Sequence, residues 1–259
     1  MYTLGIDIGS TTSKCVVLKD GKELVAKALQ VGGLGTSGPE EALAELKQLC
    51  GLEDRDMASV VVTGYGRKRY PGGYGEISEL TAHALGGRFV FPDLRTVIDI
   101  GGQDAKVIKL SEAGKMSQFV MNDKCAAGTG RFLDVMAGIL RMDVDDFGDC
   151  AAASNQPASI SSTCTVFAES EVISQLANGV LLPDLVAGIC DSVASRVGAL
   201  ARRVGVTERV CISGGVAKNT AVRKSLENYL KVKIDYDPLA QYFGAIGAAL
   251  WAWKEINEG

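Results

Sequence analysis

Two short segments of the chain place a cysteine among small residues just ahead of a predicted helix. In the first, MNDKCAAGTGRFL, Cys125 precedes a glycine-rich turn and an apolar run of helical period. In the second, SSTC ends at Cys164 and TVFAESEVISQLANG follows, with Gly179 ending the helix. Helix dipoles and unpaired N–H groups favour negative charge at this end of a helix, so both thiols are placed to be thiolates, the form that binds metal.

A second kind of chemical site is an aspartate followed by a turn of small or polar residues. The sequence LGIDIGSTTSKCVVL near the N-terminus and VIDIGGQDAKVIKL further along share this form. The interval from Asp7 to Lys14 equals that from Asp99 to Lys106, so the chain contains an internal repeat and predicts two related half-molecules. Such turns suit phosphate, because backbone N–H groups and hydroxyls reach its oxygens and a nearby carboxylate holds Mg²⁺.

The elements that must position these residues can be read from periodicity. GPEEALAELKQLCGL and ISELTAHALGGRF predict helices between the two repeats, and ASVVVTGYG predicts a buried strand. After the cysteine segments, LVAGICDSVASRVGALARRVG predicts a long helix. RVCISGGVAKNTAVRKSLENYL then predicts a strand, a turn at Gly214-Gly215 and a helix. The final YFGAIGAALWAW predicts a helix of small residues that packs tightly.

Composition narrows the range of functions. The chain has 259 residues, 47% of them apolar, with 27 Lys plus Arg against 31 Asp plus Glu and no basic stripe, so a nucleic-acid partner is not expected. The longest apolar stretch is too short to span a membrane. Seven cysteines without a disulfide framework indicate a reducing, cytoplasmic setting. Five of them are expected to pack as core or near helix ends: Cys15, Cys50, Cys150, Cys190 and Cys211.

Two common nucleotide motifs are excluded. No segment has the form G-x-x-x-x-G-K-[ST], so the chain has no P-loop. GTGRFL is not read as a dinucleotide fingerprint, because Leu133 occupies the last glycine position and no ordinary strand is predicted before it.

The two aspartate turns and the Gly214-Gly215 junction together resemble the phosphate-one, phosphate-two and adenosine motifs of the actin, sugar-kinase and 70-kDa chaperone ATPase superfamily. The resemblance implies an α/β, duplicated actin-like (ribonuclease H-like) fold. Its two related halves would have mixed sheets flanked by helices, with the nucleotide in the cleft between them. The first half is expected at 1–92, completed by a C-terminal helix at 239–259. The second is expected at 93–238 and carries both cysteines.

Within that superfamily, NDKCAAGTGRFLDV and SSTCTVFAESEVISQL resemble the ATP-dependent activators of 2-hydroxyacyl-CoA dehydratases, a group that includes the ATPase subunits of benzoyl-CoA reductase. The resemblance covers essentially the whole chain. It implies a homodimer that shares one [4Fe-4S] cluster through Cys125 and Cys164 of each subunit. The residues agree, since four thiolates are needed and one chain offers two in this setting. A structural role or a zinc site for these cysteines stays open.

The family implies that reduced flavodoxin or ferredoxin supplies an electron, and that hydrolysis of ATP to ADP drives its transfer to a dehydratase. 2-Hydroxyglutaryl-CoA dehydratase is favoured by overall similarity. Asp7 and Asp99 are expected near Mg²⁺, and Gln103 or Asp104 is expected to orient the attacking water. The residues expected to bind the nucleotide are Gly9, Ser10, Thr11, Thr12, Ser13, Lys14, Gly101, Gly102, Gln103, Gly214, Gly215, Val216 and Asn219.

Two other functions fit parts of the pattern. A small-molecule kinase of the same superfamily could use Asp104 as a base, although no sugar-binding segment is recognisable. A nucleotide-switched assembly protein would explain the ATP site but not the cysteine segments. His83, the single histidine, is read as an ordinary helix residue. Glu169 and Glu171 are read as carboxylates in the first turn of a helix, where the dipole favours them without any further role.

Overall fold

The computed structural model describes residues 1–72, 74–161 and 164–258. Positions 162 and 163 of the predicted SSTC segment therefore lie outside the described residues. The chain divides into two compact units. The predicted boundaries after residues 92 and 238 stay a prediction. The first unit comprises Met1–Leu94, Leu110–Met116 and Asp237–Gly259, and the second comprises Arg95–Lys109 and Ser117–Tyr236.

The first unit contains a mixed five-stranded sheet with helices packed against it. Its strands are β1 (Tyr2–Ile8), β2 (Thr12–Lys19), β3 (Glu23–Val31), β4 (Met57–Thr63) and β5 (Gly75–Glu76), and its helices are α1 (Gly38–Cys50), α2 (Glu79–Val90) and α8 (Phe243–Glu258). The strand order is β3-β2-β1-β4-β5, with β1 antiparallel to β2 and parallel to β4.

Side chains along β1 point alternately to the two faces of the sheet, and this alternation decides on which face Asp7 lies. Leu4 and Ile6 enter a core that α1 completes. On the opposite face, a β-carbon added at Gly5 would lie 2.0 Å from the Ala245 carbonyl oxygen, so α8 lies directly on the strand. Asp7 belongs to this second face, because side chains alternate along a strand. The prediction of a tightly packing C-terminal helix is confirmed.

The second unit repeats the architecture of the first. Its strands are β6 (Thr96–Ile100), β7 (Ala105–Leu110), β8 (Met116–Asn122), β9 (Val210–Ser213) and β10 (Ile234–Asp235), and its helices are α3 (Gly130–Leu140), α4 (Phe147–Ala152), α5 (Thr165–Ala177), α6 (Leu182–Val204) and α7 (Thr220–Leu230). The strand order is β10-β9-β6-β7-β8. Read from the opposite edge, this is the order of the first sheet, so the predicted duplication is confirmed.

The repeat extends to the parallel neighbours of β1 and β6, strands β4 and β9, which lie outside the two repeated sequence segments. Asp7 lies opposite Thr63 on the parallel strand of its sheet, and Asp99 lies opposite Ser213 in the same register. A glycine with positive φ follows each partner, Gly64 at 87° and Gly214 at 85°. Each unit therefore places its aspartate against a hydroxyl residue and a left-handed glycine turn.

Several elements were predicted and others were missed. The predicted helices are present as α1, α2, α3, α5, α6, α7 and α8, whereas α4 and the edge strands β5, β8 and β10 had no prediction. One argument against a dinucleotide fingerprint was wrong, since β8 does precede α3. Within the described ranges, no helix is both long and apolar enough to cross a membrane.

Candidate functional site

The first aspartate turn is closed by its own backbone. The Gly9 N–H donates to the Thr12 carbonyl oxygen at 3.0 Å. Lys14 Nζ lies 3.4 Å from Asp7 Oδ2, and both side chains are largely buried. This lysine therefore neutralises the aspartate from within the repeat. Ser13 is also used internally, because its hydroxyl donates to the Gly32 carbonyl at 2.7 Å.

The second turn has the same closure and a larger charge network. The Gly101 N–H donates to the Asp104 carbonyl at 2.9 Å. Lys106 Nζ lies 3.1 Å from Asp99 Oδ2 and 2.8 Å from Asp104 Oδ2. The other Asp99 oxygen accepts from the Ser213 hydroxyl at 2.7 Å. Asp104, one candidate for orienting water, is thus already held by a lysine, and Gln103 is exposed.

The second turn is also bound to helix α3. The Gly130 N–H donates to the Gly101 carbonyl at 2.9 Å, and the Arg131 N–H donates to the Gly102 carbonyl at 2.8 Å. These are the first two N–H groups of the helix, which otherwise have no partner inside it. A β-carbon at Gly130 would lie 3.2 Å from the Gly101 oxygen, so glycine permits this close approach. A displacement of the turn would therefore act on α3 directly.

The predicted adenosine segment forms a strand, a glycine turn and a helix, as expected. A β-carbon at Gly214 would lie 2.3 Å from the Ile100 carbonyl, which leaves no room for a side chain there. Asn219 caps α7, and its Oδ1 accepts from the Val222 N–H at 3.0 Å. Its Nδ2 is buried and has no hydrogen-bond partner. A buried donor of this kind is costly unless a ligand uses it.

Cys125 does not lie at a helix terminus. Thr129 is the N-cap of α3, and Cys125 precedes that helix by five residues in an exposed loop. The first N–H groups of α3 are bound to turn carbonyls, so they are not available to the thiol. The prediction that Cys125 lies at the positive end of α3 was therefore wrong.

Cys164 does occupy the predicted place, as the N-cap of α5. Two apolar residues in its first turn are largely exposed, since Val166 is 65% and Phe167 68% accessible, whereas the buried positions of the helix are Ala168 and Val172. The interpretation of Glu169 and Glu171 as first-turn carboxylates was also wrong, since no acidic residue lies in the first turn.

The other five cysteines are buried or partly buried, in agreement with the prediction that they pack in the core or near helix ends. Burial, with the Asp7 charge, raises the pKa of the Cys15 thiol to about 12, and burial raises that of Cys190 to about 12. The Cys211 pKa is raised as well, by burial and then by Asp99. A neutral thiol is a poor metal ligand. Cys50 and Cys150 are only partly buried.

His83 lies on α2 and is buried, as a helix residue facing the interior would be. Its Nε2 lies 3.2 Å from the point where a β-carbon on Gly244 would stand, and Asp7 Oδ2 lies 2.7 Å from the same point. Because Gly244 has no side chain, the side chains of His83 and Asp7 can approach each other at this position.

The residues suited to a metal centre are the two exposed cysteines, both in the second unit. Across residues 1–72, 74–161 and 164–258, no group of three or more His, Cys, Asp or Glu could hold a metal ion. A [4Fe-4S] cluster needs four thiolates, so a site made from one chain would be incomplete. Two cysteines from each of two chains would complete the set, so the donor chemistry of Cys125 and Cys164 fits such a cluster.

Comparison with known proteins shows which family this chain is similar to. The model of the BadF/BadG/BcrA/BcrD ATPase family matches residues 4–252. The (R)-2-hydroxyglutaryl-CoA dehydratase activating ATPase of Acidaminococcus fermentans is 56% identical over 256 residues, which cover 98% of each chain.

Solved structures agree with the fold. The activator of the 2-hydroxyisocaproyl-CoA dehydratase from Clostridium difficile with bound ADPNP has a TM-score of 0.97 and 51% identity, covering 100% of this chain and 96% of that one. The ROK hexokinase from Thermus thermophilus, at 16% identity and a TM-score of 0.52 over 100% of both chains, shares the fold alone. The expected duplicated actin-like fold is confirmed. The chain belongs to the BadF/BadG/BcrA/BcrD ATPase family.

Proposed function

We propose that this chain is a cytoplasmic, ATP-dependent reductive activator of a 2-hydroxyacyl-CoA dehydratase. Two copies hold one [4Fe-4S] cluster through Cys125 and Cys164 of each chain. When bound there, the cluster would supply one-electron transfer at low potential, from reduced flavodoxin or ferredoxin to the dehydratase. The names of the relatives support a dehydratase partner, and the relative of highest quoted identity favours 2-hydroxyglutaryl-CoA dehydratase.

The observation that carries the proposal is the pair of hydrogen bonds between the second turn and α3. The carbonyls of Gly101 and Gly102 accept the first N–H groups of the helix that follows the Cys125 loop. Binding or hydrolysis of ATP at this turn therefore changes the position of that helix without any intermediate element. A ligand shifts such an equilibrium only through different affinities for the two arrangements, which ATP and ADP supply.

The ATP site is proposed to use the remaining predicted residues. Backbone groups of the turns beginning at Gly9 and Gly101 bind phosphate oxygens, and Asp7 and Asp99 hold the water shell of Mg²⁺. The buried Nδ2 of Asn219 donates to the nucleoside. Gln103 is proposed to orient the attacking water, since its exposed side chain is free to turn whereas Asp104 is paired with Lys106.

A homodimer is supported by the exposed apolar side of α5. Val166 and Phe167 follow Cys164 directly, and both are about two-thirds accessible. Contiguous exposed apolar side chains mark contacts with another protein. If Cys164 meets its symmetry mate at a shared cluster, a twofold axis brings both α5 helices to the same interface. The exposed side chains then become buried.

Anaerobic purification tests the proposal. We expect a brown dimer with four iron and four sulfide per two chains, and we expect Cys125→Ser and Cys164→Ser to be colourless. Cys150→Ser, at a partly buried cysteine of the same unit, is the matched control and keeps its iron. With ATP, Mg²⁺ and reduced flavodoxin, the brown protein should activate 2-hydroxyglutaryl-CoA dehydratase. A metal-free monomer, or a colourless protein that phosphorylates a metabolite, would overturn the proposal.

A further inference from the structure

We propose that Asn122 and Glu171 are positioning residues that fix the backbone carrying Cys125 and Cys164, and so determine how firmly the iron is held. The inference rests on the proposed function, because it needs a cluster at these cysteines. Neither residue is proposed to bind the cluster itself. Both act through the chain segment next to a cysteine.

Asn122 closes the Cys125 loop onto the end of strand β8. Its Nδ2 donates to the Cys125 carbonyl at 2.8 Å and to the Ala127 carbonyl at 3.4 Å. Its Oδ1 accepts from the Cys125 N–H at 3.2 Å. The donor and the acceptor of Cys125 are thus both bound to one side chain. Because Asn122 is the last residue of a paired strand, the cysteine backbone is fixed to the sheet rather than free in the loop.

Glu171 holds the segment that leads to Cys164 against helix α5. Its two carboxylate oxygens accept from the Ser161 N–H at 3.0 and 3.1 Å, and Oε1 also accepts from the Ser161 hydroxyl at 3.0 Å. One turn further along α5, Gln175 Nε2 donates to the Ser159 carbonyl at 2.8 Å. Cys164 caps the same helix, so Glu171 and Gln175 bind Ser161 and Ser159 to the helix that begins after this cysteine.

The chain before Ser159 is fixed to helix α6 in the same manner. Asp184 Oδ1 accepts from the Ser154 hydroxyl at 2.7 Å and from the N–H groups of Asn155 and Gln156 at 3.1 and 3.0 Å. A β-carbon on Gly188 would lie 2.0 Å from the Ala158 carbonyl, so the segment lies directly on α6. The described chain is therefore anchored up to Ser161, three residues before the cysteine.

The chemistry of Glu171 favours a positioning role over a purely solvated one. A carboxylate accepts several bonds but donates none, and the backbone N–H and the hydroxyl of Ser161 together give it two donors. Hydrogen bonds to a charged acceptor are stronger than neutral ones. Partners that orient metal-binding side chains are as consequential as many ligands, and their loss lowers metal affinity by about 10- to 100-fold.

Single-group substitutions test the inference. Glu171→Gln replaces one acceptor with a donor, and Asn122→Asp removes the donor to the Cys125 carbonyl. The matched controls are Glu169→Gln on the same helix and Asp123→Asn beside Asn122. Glu169 makes no hydrogen bond in the described part of the chain, and Asp123 pairs only with exposed Lys124.

The measurements are iron and sulfide per dimer, the rate of iron loss to a chelator without oxygen, and the midpoint potential of the bound cluster. We expect Glu171→Gln and Asn122→Asp to lose iron at least about tenfold faster than wild type, as loss of an orienting partner predicts. Both should retain ATP hydrolysis and the native circular dichroism spectrum. Ser161→Ala, which keeps the backbone bond to Glu171, should give a smaller acceleration.

The outcomes separate this inference from the proposed function. If the wild type holds iron and both test variants release it as slowly as their controls, Asn122 and Glu171 are not positioning residues. A wild type without iron would instead contradict the proposed function. If a test variant does not fold, the result from Ser161→Ala decides for Glu171 and that from Asn122→Ser decides for Asn122.

Discussion

The two aspartate turns have the same internal closure but different attachments. In the first, a β-carbon on Gly33 would lie 2.3 Å from the Gly9 carbonyl, so the turn leans on the backbone of a neighbouring loop. In the second, the equivalent Gly101 carbonyl accepts a hydrogen bond from the N-terminus of α3. Both copies of the repeat keep a turn that suits phosphate. Only the second turn is hydrogen-bonded to a helix that follows a cysteine, namely α3.

The charges behind the two turns also differ. Lys14 faces one carboxylate at 3.4 Å and keeps 13% of its side-chain surface exposed. Lys106 is 4% exposed and lies between two carboxylates, while Ser213 binds the far oxygen of Asp99. Thr63, the counterpart of Ser213, donates instead to the Ile77 carbonyl. The second turn is therefore the more rigidly supported of the two, as a turn that transmits a displacement to α3 must be.

The largest expected effect is on ATP hydrolysis. Asp99→Asn and Asp7→Asn should each lower turnover by at least about 100-fold, because loss of one preorganised electrostatic group has this magnitude. Asp20→Asn, at an exposed turn, serves as the control. Phosphate release is the measurement. Wild-type turnover in either test variant would remove that aspartate from the proposed site.

Stability should separate the two lysines. Lys106→Met leaves the buried Asp99 carboxylate without its cation and should cost about 3 kcal/mol, as breaking a buried pair does. Lys14→Met should cost about 1 kcal/mol, because its one ion pair is long and its side chain keeps some exposure to solvent. Urea unfolding with a probe in each unit measures both values. Equal losses would contradict the difference in support between the turns.

Alanine substitutions compare the two attachments. Gly33→Ala places a methyl group against a backbone carbonyl that cannot move aside, and we expect a loss of about 2 kcal/mol. Gly130→Ala meets the Gly101 carbonyl at 3.2 Å, which a small shift of α3 relieves. Its effect on stability should be less than about 1 kcal/mol. A larger loss for Gly130→Ala in urea unfolding would show that the α3 attachment is the tighter one.

The smallest expected effect concerns the cysteines beside the two aspartates. Raised pKa values keep Cys15 and Cys211 neutral at pH 9, and only the thiolate reacts. Iodoacetamide should therefore leave both unmodified in the reduced, metal-free native chain, whereas all seven cysteines react in urea. Peptide mass spectrometry identifies the sites. Rapid modification of Cys15 in the native chain would contradict its burial.

Much of the fold could be predicted because its signals are local. The repeat was visible in the shared Asp-to-Lys interval, and α6 and α8 have clear periodicity. Strand β8 was missed because most of its side chains are exposed, so it lacks the apolar alternation that marks a half-buried strand. The extension of the repeat to Thr63 and Ser213 depends on strand register, which only the folded sheets reveal.

The sequence predicted the types of residue in the candidate site but not the hydrogen bonds that join them. Cys125 and Cys164 were evident from their segments, yet the bonds of Asn122 and Glu171 join residues through side chains and backbone that sequence spacing does not predict. The helix after Cys164 was predicted, but Val166 and Phe167 in its first turn are exposed in a single chain. Burial by a second chain would explain that difference.

Amide hydrogen exchange tests the central claim, that the second turn transmits the nucleotide state to the Cys125 segment. The anaerobic, iron-loaded dimer is measured with ADP and with a non-hydrolysable ATP analogue. We predict that exchange at Gly130 and Arg131 differs between the two nucleotides, because their N–H groups are bound to the turn carbonyls. Identical exchange across residues 122–131 with both nucleotides bound would contradict the claim.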